Sequence, residues 1–132
     1  MKIEFFIPLR EPPSVTHQEH KVTMRNDKPV FYETQEQKAV RRMFEGYLAK
    51  YKPEQLLAGP VRLITKWIWS CDQKHLHGSY KTTKPDTDNL IKMFKDCMTR
   101  CGYWKDDAQV ASEITEKLYG STPGIYVRVE EL

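Results

Sequence analysis

The sequence predicts an α/β fold of the α+β type: a small mixed β-sheet of about four strands with two main helices packed on it. Three observations lead there. Short runs rich in β-branched and aromatic residues stand at 2–8, 61–70, 110–119 and 125–130. Two longer segments repeat apolar residues at helical spacing. The 132 residues hold no internal repeat and no linker, which points to a single domain over 1–132.

In chain order, residues 2–8 are rich in Phe and Ile and read as a strand. Residues 9–33 form a long connection that holds a small hairpin turning at Asn26-Asp27-Lys28-Pro29, with Phe31 and Tyr32 on its return. His17 and His20 belong to this connection and read as solvated. The first helix begins near Thr34, where Thr34-Gln35-Glu36-Gln37 has the form of a capping box. Ala39, Val40, Met43, Phe44, Tyr47 and Leu48 recur on one stripe, and Pro53 ends the element. Lys38, Arg41 and Arg42 fall off that stripe, as a solvated face or a track for phosphates.

Gly59-Pro60 punctuates the start of the strand at 61–70. A second long connection follows at 71–85. The second helix runs from about Thr87 to Arg100, with Gly102 as its stop. Leu90, Phe94, Cys97, Met98 and Cys101 form its apolar face, while Asp88, Lys92, Lys95, Asp96 and Thr99 share the opposite one. Residues 110–119 and 125–130 are expected to close the sheet as a hairpin turning at 120–124. Ile125, Val127 and Val129 point one way; Tyr126, Arg128 and Glu130 point the other.

Composition narrows the function. With 39% hydrophobic and 30% charged residues, collagen-like, low-complexity and membrane classes are excluded. No apolar run approaches the roughly 18 residues of a membrane span, and the N-terminal stretch is too short for a secretory signal. The three cysteines include no C-x-x-C, so reduced, buried thiols in a cytoplasmic protein are expected. The net charge of +3 is uneven: residues 106–132 carry six acids against two bases, a net of −4, which leaves +7 on the remainder. Such a split suits a polyanionic partner.

The densest set of candidate ligands is Asp86-Thr87-Asp88 followed by Asp106-Asp107. Aspartate is a favoured N-cap, and one of the first pair can be only that. Two carboxylates in one turn and a third elsewhere exceed what capping needs. Crowded carboxylates repel, and a hard divalent cation relieves the repulsion; oxygen donors alone favour Mg²⁺ or Mn²⁺ over zinc. Lys92, one turn past Asp88, is either an i,i+4 ion pair or a cation that stabilises charge on phosphorus or a leaving oxygen. An EF-hand is ruled out, because Leu90 and Ile91 stand where its ligand and glycine belong. No P-loop occurs, hence no nucleotide cofactor is expected. Cys71, His75 and His77 lack the second ligand pair of a zinc finger. The loop at 74–84 carries Lys74, Lys81 and Lys84, which suit contact with phosphates.

Residues 86–110, DTDNLIKMFKDCMTRCGYWKDDAQV, resemble the RusA family of Holliday-junction resolvases. That family shows D-x-D-N-L-x-K, then an aspartate, then G-x-W-x-D-D-x-Q-V, and every element stands here in register, over about a fifth of the chain. The resemblance implies a homodimeric, magnesium-dependent endodeoxyribonuclease, with manganese as a substitute ion, that cuts four-way DNA junctions in recombination and repair. It implies metal-binding and catalytic roles for Asp86, Asp88 and Asp107 and a catalytic role for Lys92. Asp106 and Asp96 match as further acids. Adjacent residues of an extended segment face opposite ways, so one of Asp106 and Asp107 is expected at the metal.

Two departures stand out. Val15-Thr16 follows Pro12-Pro13-Ser14 where Asn is common, and Pro85 precedes the first aspartate where a basic residue is frequent. A small stand-alone resolvase also suits a phage or prophage.

The expected chemistry is metal-assisted hydrolysis of a DNA phosphodiester at two sites of a two-fold dimer. Lys21, Arg25 and Lys28 from the first connection and Lys74, Lys81 and Lys84 from the second would hold duplex arms by their phosphates. The alternatives are a non-catalytic protein that recognises branched DNA, and a nuclease acting on flaps or forks.

Overall fold

A computed structural model describes residues 1–14, 20–25 and 28–132, with side chains placed outside 15–32. The elements are β1 (Lys2–Pro8), β2 (His20–Arg25), β3 (Lys28–Glu33), α1 (Gln35–Tyr51), β4 (Val61–Ser70), α2 (Thr87–Cys101), a 3-10 turn (Asp107–Gln109), β5 (Val110–Gly120) and β6 (Gly124–Glu131). This is the expected arrangement: a four-stranded mixed sheet with two helices packed on it.

The sheet order is β1-β6-β4-β5. β4 and β5 run parallel, and the other two pairs are antiparallel. The expected closing hairpin of residues 110–119 and 125–130 does not form, because β4 lies between its two arms. Val61, Leu63, Thr65 and Trp67 of β4 are fully buried, so this strand belongs at the centre with a neighbour on each edge. From Gly120 to Gly124 the chain crosses the end of β4. Four Cα steps reach up to about 14 Å, enough for two strand spacings of roughly 10 Å. Gly124 has φ 150°, and a Cβ there would strike the Ile7 carbonyl oxygen, so no larger residue fits the crossing.

Alternation sets the buried face. Phe5 and Ile7 on β1, Leu63 and Trp67 on β4, and Ile125, Val127 and Val129 on β6 all point towards the helices. Phe44 of α1 and Phe94 of α2 meet Trp67 edge-on, with centroids 6.0 and 5.5 Å away. Thr65 is buried because its hydroxyl accepts the Trp67 indole N–H at 2.9 Å, which spares an orphaned donor in the core.

The capping box of α1 is formed. Gln37 N donates to Thr34 Oγ1 at 3.0 Å and Thr34 N to Gln37 Oε1 at 2.8 Å. Of the expected apolar stripe Phe44 and Leu48 are buried, while Ala39 is exposed. Arg41 is neither on a solvated face nor on a phosphate track. Its guanidinium donates to Glu33 at 2.6 and 2.9 Å and to Asp96 at 2.6 Å, joining the end of β3 to both helices.

The strands of the expected small hairpin pair in the register Arg25↔Lys28, and His20 opens β2. His17, Asn26 and Asp27 lie outside the described residues, as do the side chains of Lys21, Arg25, Lys28, Phe31 and Tyr32. The second long connection runs along the free edge of β5. Gly78 N bonds Tyr119 O, Tyr119 N bonds Ser79 O and Lys81 N bonds Lys117 O, at 2.7–2.9 Å.

Candidate active site

The site is built where the chain leaves α2 and comes back as β5. Gly102, at φ 93°, ends the helix in the left-handed region, and its N–H meets Thr99 O at 3.2 Å. Tyr103 and Trp104 then sink into the core. The Tyr103 hydroxyl donates to Leu48 O at 2.7 Å, and the Trp104 indole to Thr99 Oγ1 at 2.8 Å. Gln109 fixes the turn that follows. Its Oε1 accepts from Lys105 N and Asp106 N at 3.0 and 3.2 Å, and its Nε2 donates to Leu57 O and Gly59 O at 2.8 and 3.1 Å. The Gly, Trp and Gln of the motif are therefore the frame that turns the chain back. The acids hang on that frame.

The returning chain and α2 enclose an open groove of about 400 Å³, lined by Thr87, Asp88, Ile91, Lys92, Lys95, Asp107, Glu113 and Thr115. Asp88, Lys92 and Asp107 thus share one cleft. From Asp88 to Lys95 the helix wall extends about 10 Å. Asp107 and Glu113 come from the other wall. Lys92 makes no ion pair among the described residues, so the i,i+4 pairing with Asp88 is not formed; Lys95 instead pairs with Glu113 at 3.4 Å.

The other predicted acids go elsewhere. Asp106 caps the 3-10 turn, its carboxylate accepting Ala108 N at 2.9 Å. Asp96 is held by Arg41, and by Arg100 at 3.4 Å, and does not line the groove. Asp86 sits at the N-cap of α2, but its side chain makes no capping bond and does not line the groove. Among the described residues no three acids, histidines or cysteines are gathered tightly enough to hold an ion as they stand.

Glu113 and Thr115 were missed from the sequence. The period-two alternation of β5 puts Glu113, Thr115 and Lys117 on one face, and would have found them once that face was known to look at α2. Of the basic loop, Lys74 and Lys84 are exposed. Lys81 lies over the Trp69 and Tyr119 rings, 5.2 and 5.5 Å from their centroids, which keeps its stem flat on aromatic surface. His75 faces Asp72, and His77 Nδ1 accepts Ser121 N at 3.1 Å, so neither is poised with Cys71 around zinc.

The donor set of the groove suits a hard cation. Asp88, Asp107, Glu113 and Thr115 offer oxygen, and among the described residues no thiol or imidazole lines the cleft. The cleft is open, walled by carboxylates and lysines, and lies beside the N-terminus of α2. The family described as Endodeoxyribonuclease RusA matches residues 11–130. The crossover junction endodeoxyribonuclease rusA of Lactococcus phage r1t is 29% identical over 139 residues, covering 100% of both chains. YqaN of Bacillus subtilis (strain 168), an uncharacterised protein, is 31% identical over 110 residues, 71% of this chain and 76% of its own. The chain belongs to the RusA family and is an endodeoxyribonuclease.

Proposed function

We propose that this nuclease resolves four-way DNA junctions by paired, symmetric phosphodiester cleavage, dependent on Mg²⁺ or Mn²⁺. The observation that carries the reading is one groove shared by Asp88, Lys92 and Asp107, three of the four positions where the family motif places its chemistry. Asp88 and Asp107 would hold the ion, with Asp86 recruited from the adjacent helix cap. When bound, the ion supplies Lewis-acid activation of water and charge neutralisation at phosphorus.

The chain's own residues do the rest. Lys92, which makes no ion pair among the described residues, would present its ammonium to the scissile phosphate, where negative charge grows in the transition state. The N-terminus of α2 adds its positive end on the same side. Lys95 holds Glu113 against the groove wall, keeping one carboxylate on station for a proton or a water. Lys74, Lys81 and Lys84, with Lys21, Arg25 and Lys28 of the β2–β3 arm, would grip duplex arms through phosphates.

Residues 1–132 act as one domain, and two copies form a two-fold dimer, because two matched cuts call for two sites related by the symmetry of the junction. The protein works in the cytoplasm. No helix among the described residues is long and apolar enough to cross a membrane.

The test is incubation with a synthetic four-way junction, Mg²⁺ and a linear duplex control. Paired nicks at symmetric positions are expected. Cutting of flaps or forks with the junction left intact would replace the proposed substrate.

A further inference from the structure

We propose that Lys117 of β5 is a positioning residue that sets the Asp86–Asp88 turn against the opposite wall of the groove. This rests on the reading above, in which those acids serve the metal. The Lys117 ammonium donates to Thr83 O at 2.7 Å and to Pro85 O at 2.8 Å, and it forms no ion pair among the described residues. It spends its charge on two main-chain carbonyls that lead directly into Asp86.

Among the described residues, the segment it holds has one further side-chain tie, the Lys81 ammonium donating to Thr83 Oγ1 at 2.7 Å. Lys81 N bonds Lys117 O, and the next main-chain bond between backbones is Leu90 N to Asp86 O, already within the helix start. Among the described residues no backbone–backbone bond ties 82–85 to the fold. Thr82, Thr83 and Lys84 are exposed, and Pro85 is buried. Nor does the Asp86 side chain orient itself, since it makes no capping bond. An aspartate at an N-cap ordinarily takes its direction from a bond to the helix's own N–H groups. Here direction comes from the chain before it, and that chain is pinned by Lys117.

The pin also sets the two walls. Glu113, Thr115 and Lys117 share one face of β5: the first two line the groove, and the third grips the approach to α2. Removing the ammonium frees residues 82–86 to move relative to β5, so the acids of α2 lose their spacing from Asp107 and Glu113. The expected defect is in metal affinity before anything else, with DNA binding intact.

The test compares the full chain with Lys117→Met, which keeps the stem without the donor, and Lys117→Arg, which keeps the donor. Mn²⁺ binding is titrated without DNA by electron paramagnetic resonance, and junction cleavage is followed against Mg²⁺ concentration. Lys117→Met is expected to bind Mn²⁺ about 10-fold more weakly and to need correspondingly more Mg²⁺ for half-maximal cleavage. Its maximal rate at saturating Mg²⁺ and its metal-free junction affinity should change far less. Lys117→Arg should recover most of the loss. If Lys117→Met does not fold, Lys117→Gln, which keeps one donor, takes its place with the same expected direction. Wild-type Mn²⁺ affinity in a folded Lys117→Met or Lys117→Gln protein overturns the inference alone. A wild-type chain that binds no Mn²⁺ and cuts no junction overturns the metal-dependent reading itself.

Discussion

Asp106 and Asp107 are consecutive in sequence and have separate fates. The carboxylate of Asp106 caps a 3-10 turn through Ala108 N at 2.9 Å, while that of Asp107 lines the groove shared with Asp88. Mutation should therefore tell them apart. Asp107→Asn and Asp88→Asn are expected to lower junction cleavage by at least about 100-fold, with binding retained at low salt. Asp106→Ala should cost about 1 kcal/mol of stability, as the loss of a cap does, and leave cleavage within a few-fold. Cleavage rates measured beside thermal melts decide the matter, and equal loss in both neighbours would remove the distinction.

Lys92 is exposed and without an ion-pair partner among the described residues, so the fold does not lean on it. For Lys92→Ala we expect an unchanged melting temperature and cleavage slowed by about 100-fold, the scale of losing one charge stabiliser in a transition state. Single-turnover rates on a pre-bound junction give the readout. An unchanged rate would make Lys92 a surface lysine.

Arg41 shows the opposite balance. Its guanidinium is 11% exposed and serves Glu33 and Asp96 together. Arg41→Met leaves two carboxylates facing each other and should cost roughly 2–4 kcal/mol, below the full figure for a buried pair because Asp96 is 43% exposed. Asp96→Asn should lower stability more mildly and leave the metal dependence of cleavage untouched. Chemical denaturation of both variants, with a Mg²⁺ titration of Asp96→Asn, checks the pair. A shifted Mg²⁺ requirement would return Asp96 to the site.

Burial pushes the Cys97 thiol from an ordinary 9.0 up to about 12, and burial raises Cys101 and Tyr103 in the same direction. A group whose pKa is raised by folding keeps its contribution below the unfolded value and loses it as pH climbs towards the folded one. Stability should accordingly hold up to about pH 9 and decline from there towards pH 12. Melts across that range measure the decline. At pH 8 a thiol reagent should label the exposed Cys71 in the native protein and reach Cys97 only in denaturant. Rapid native labelling of Cys97 would contradict its burial.

What the sequence settled by itself was local. Period-two and helical repeats placed the four sheet strands and both helices, and the Thr34 box and Gly102 marked their ends. Those readings depend on residues within a few positions of one another, where backbone periodicity is the governing physics. Tertiary structure decided what depends on distant partners. It put β4 between β5 and β6 because the most apolar strand takes the centre, drew Asp96 to Arg41 across 55 positions, and gave Asp106 to a cap. It also brought Glu113 into the groove and Lys117 to the chain ahead of Asp86. A linear pattern carries the face a side chain points from, and only packing supplies the surface it points at.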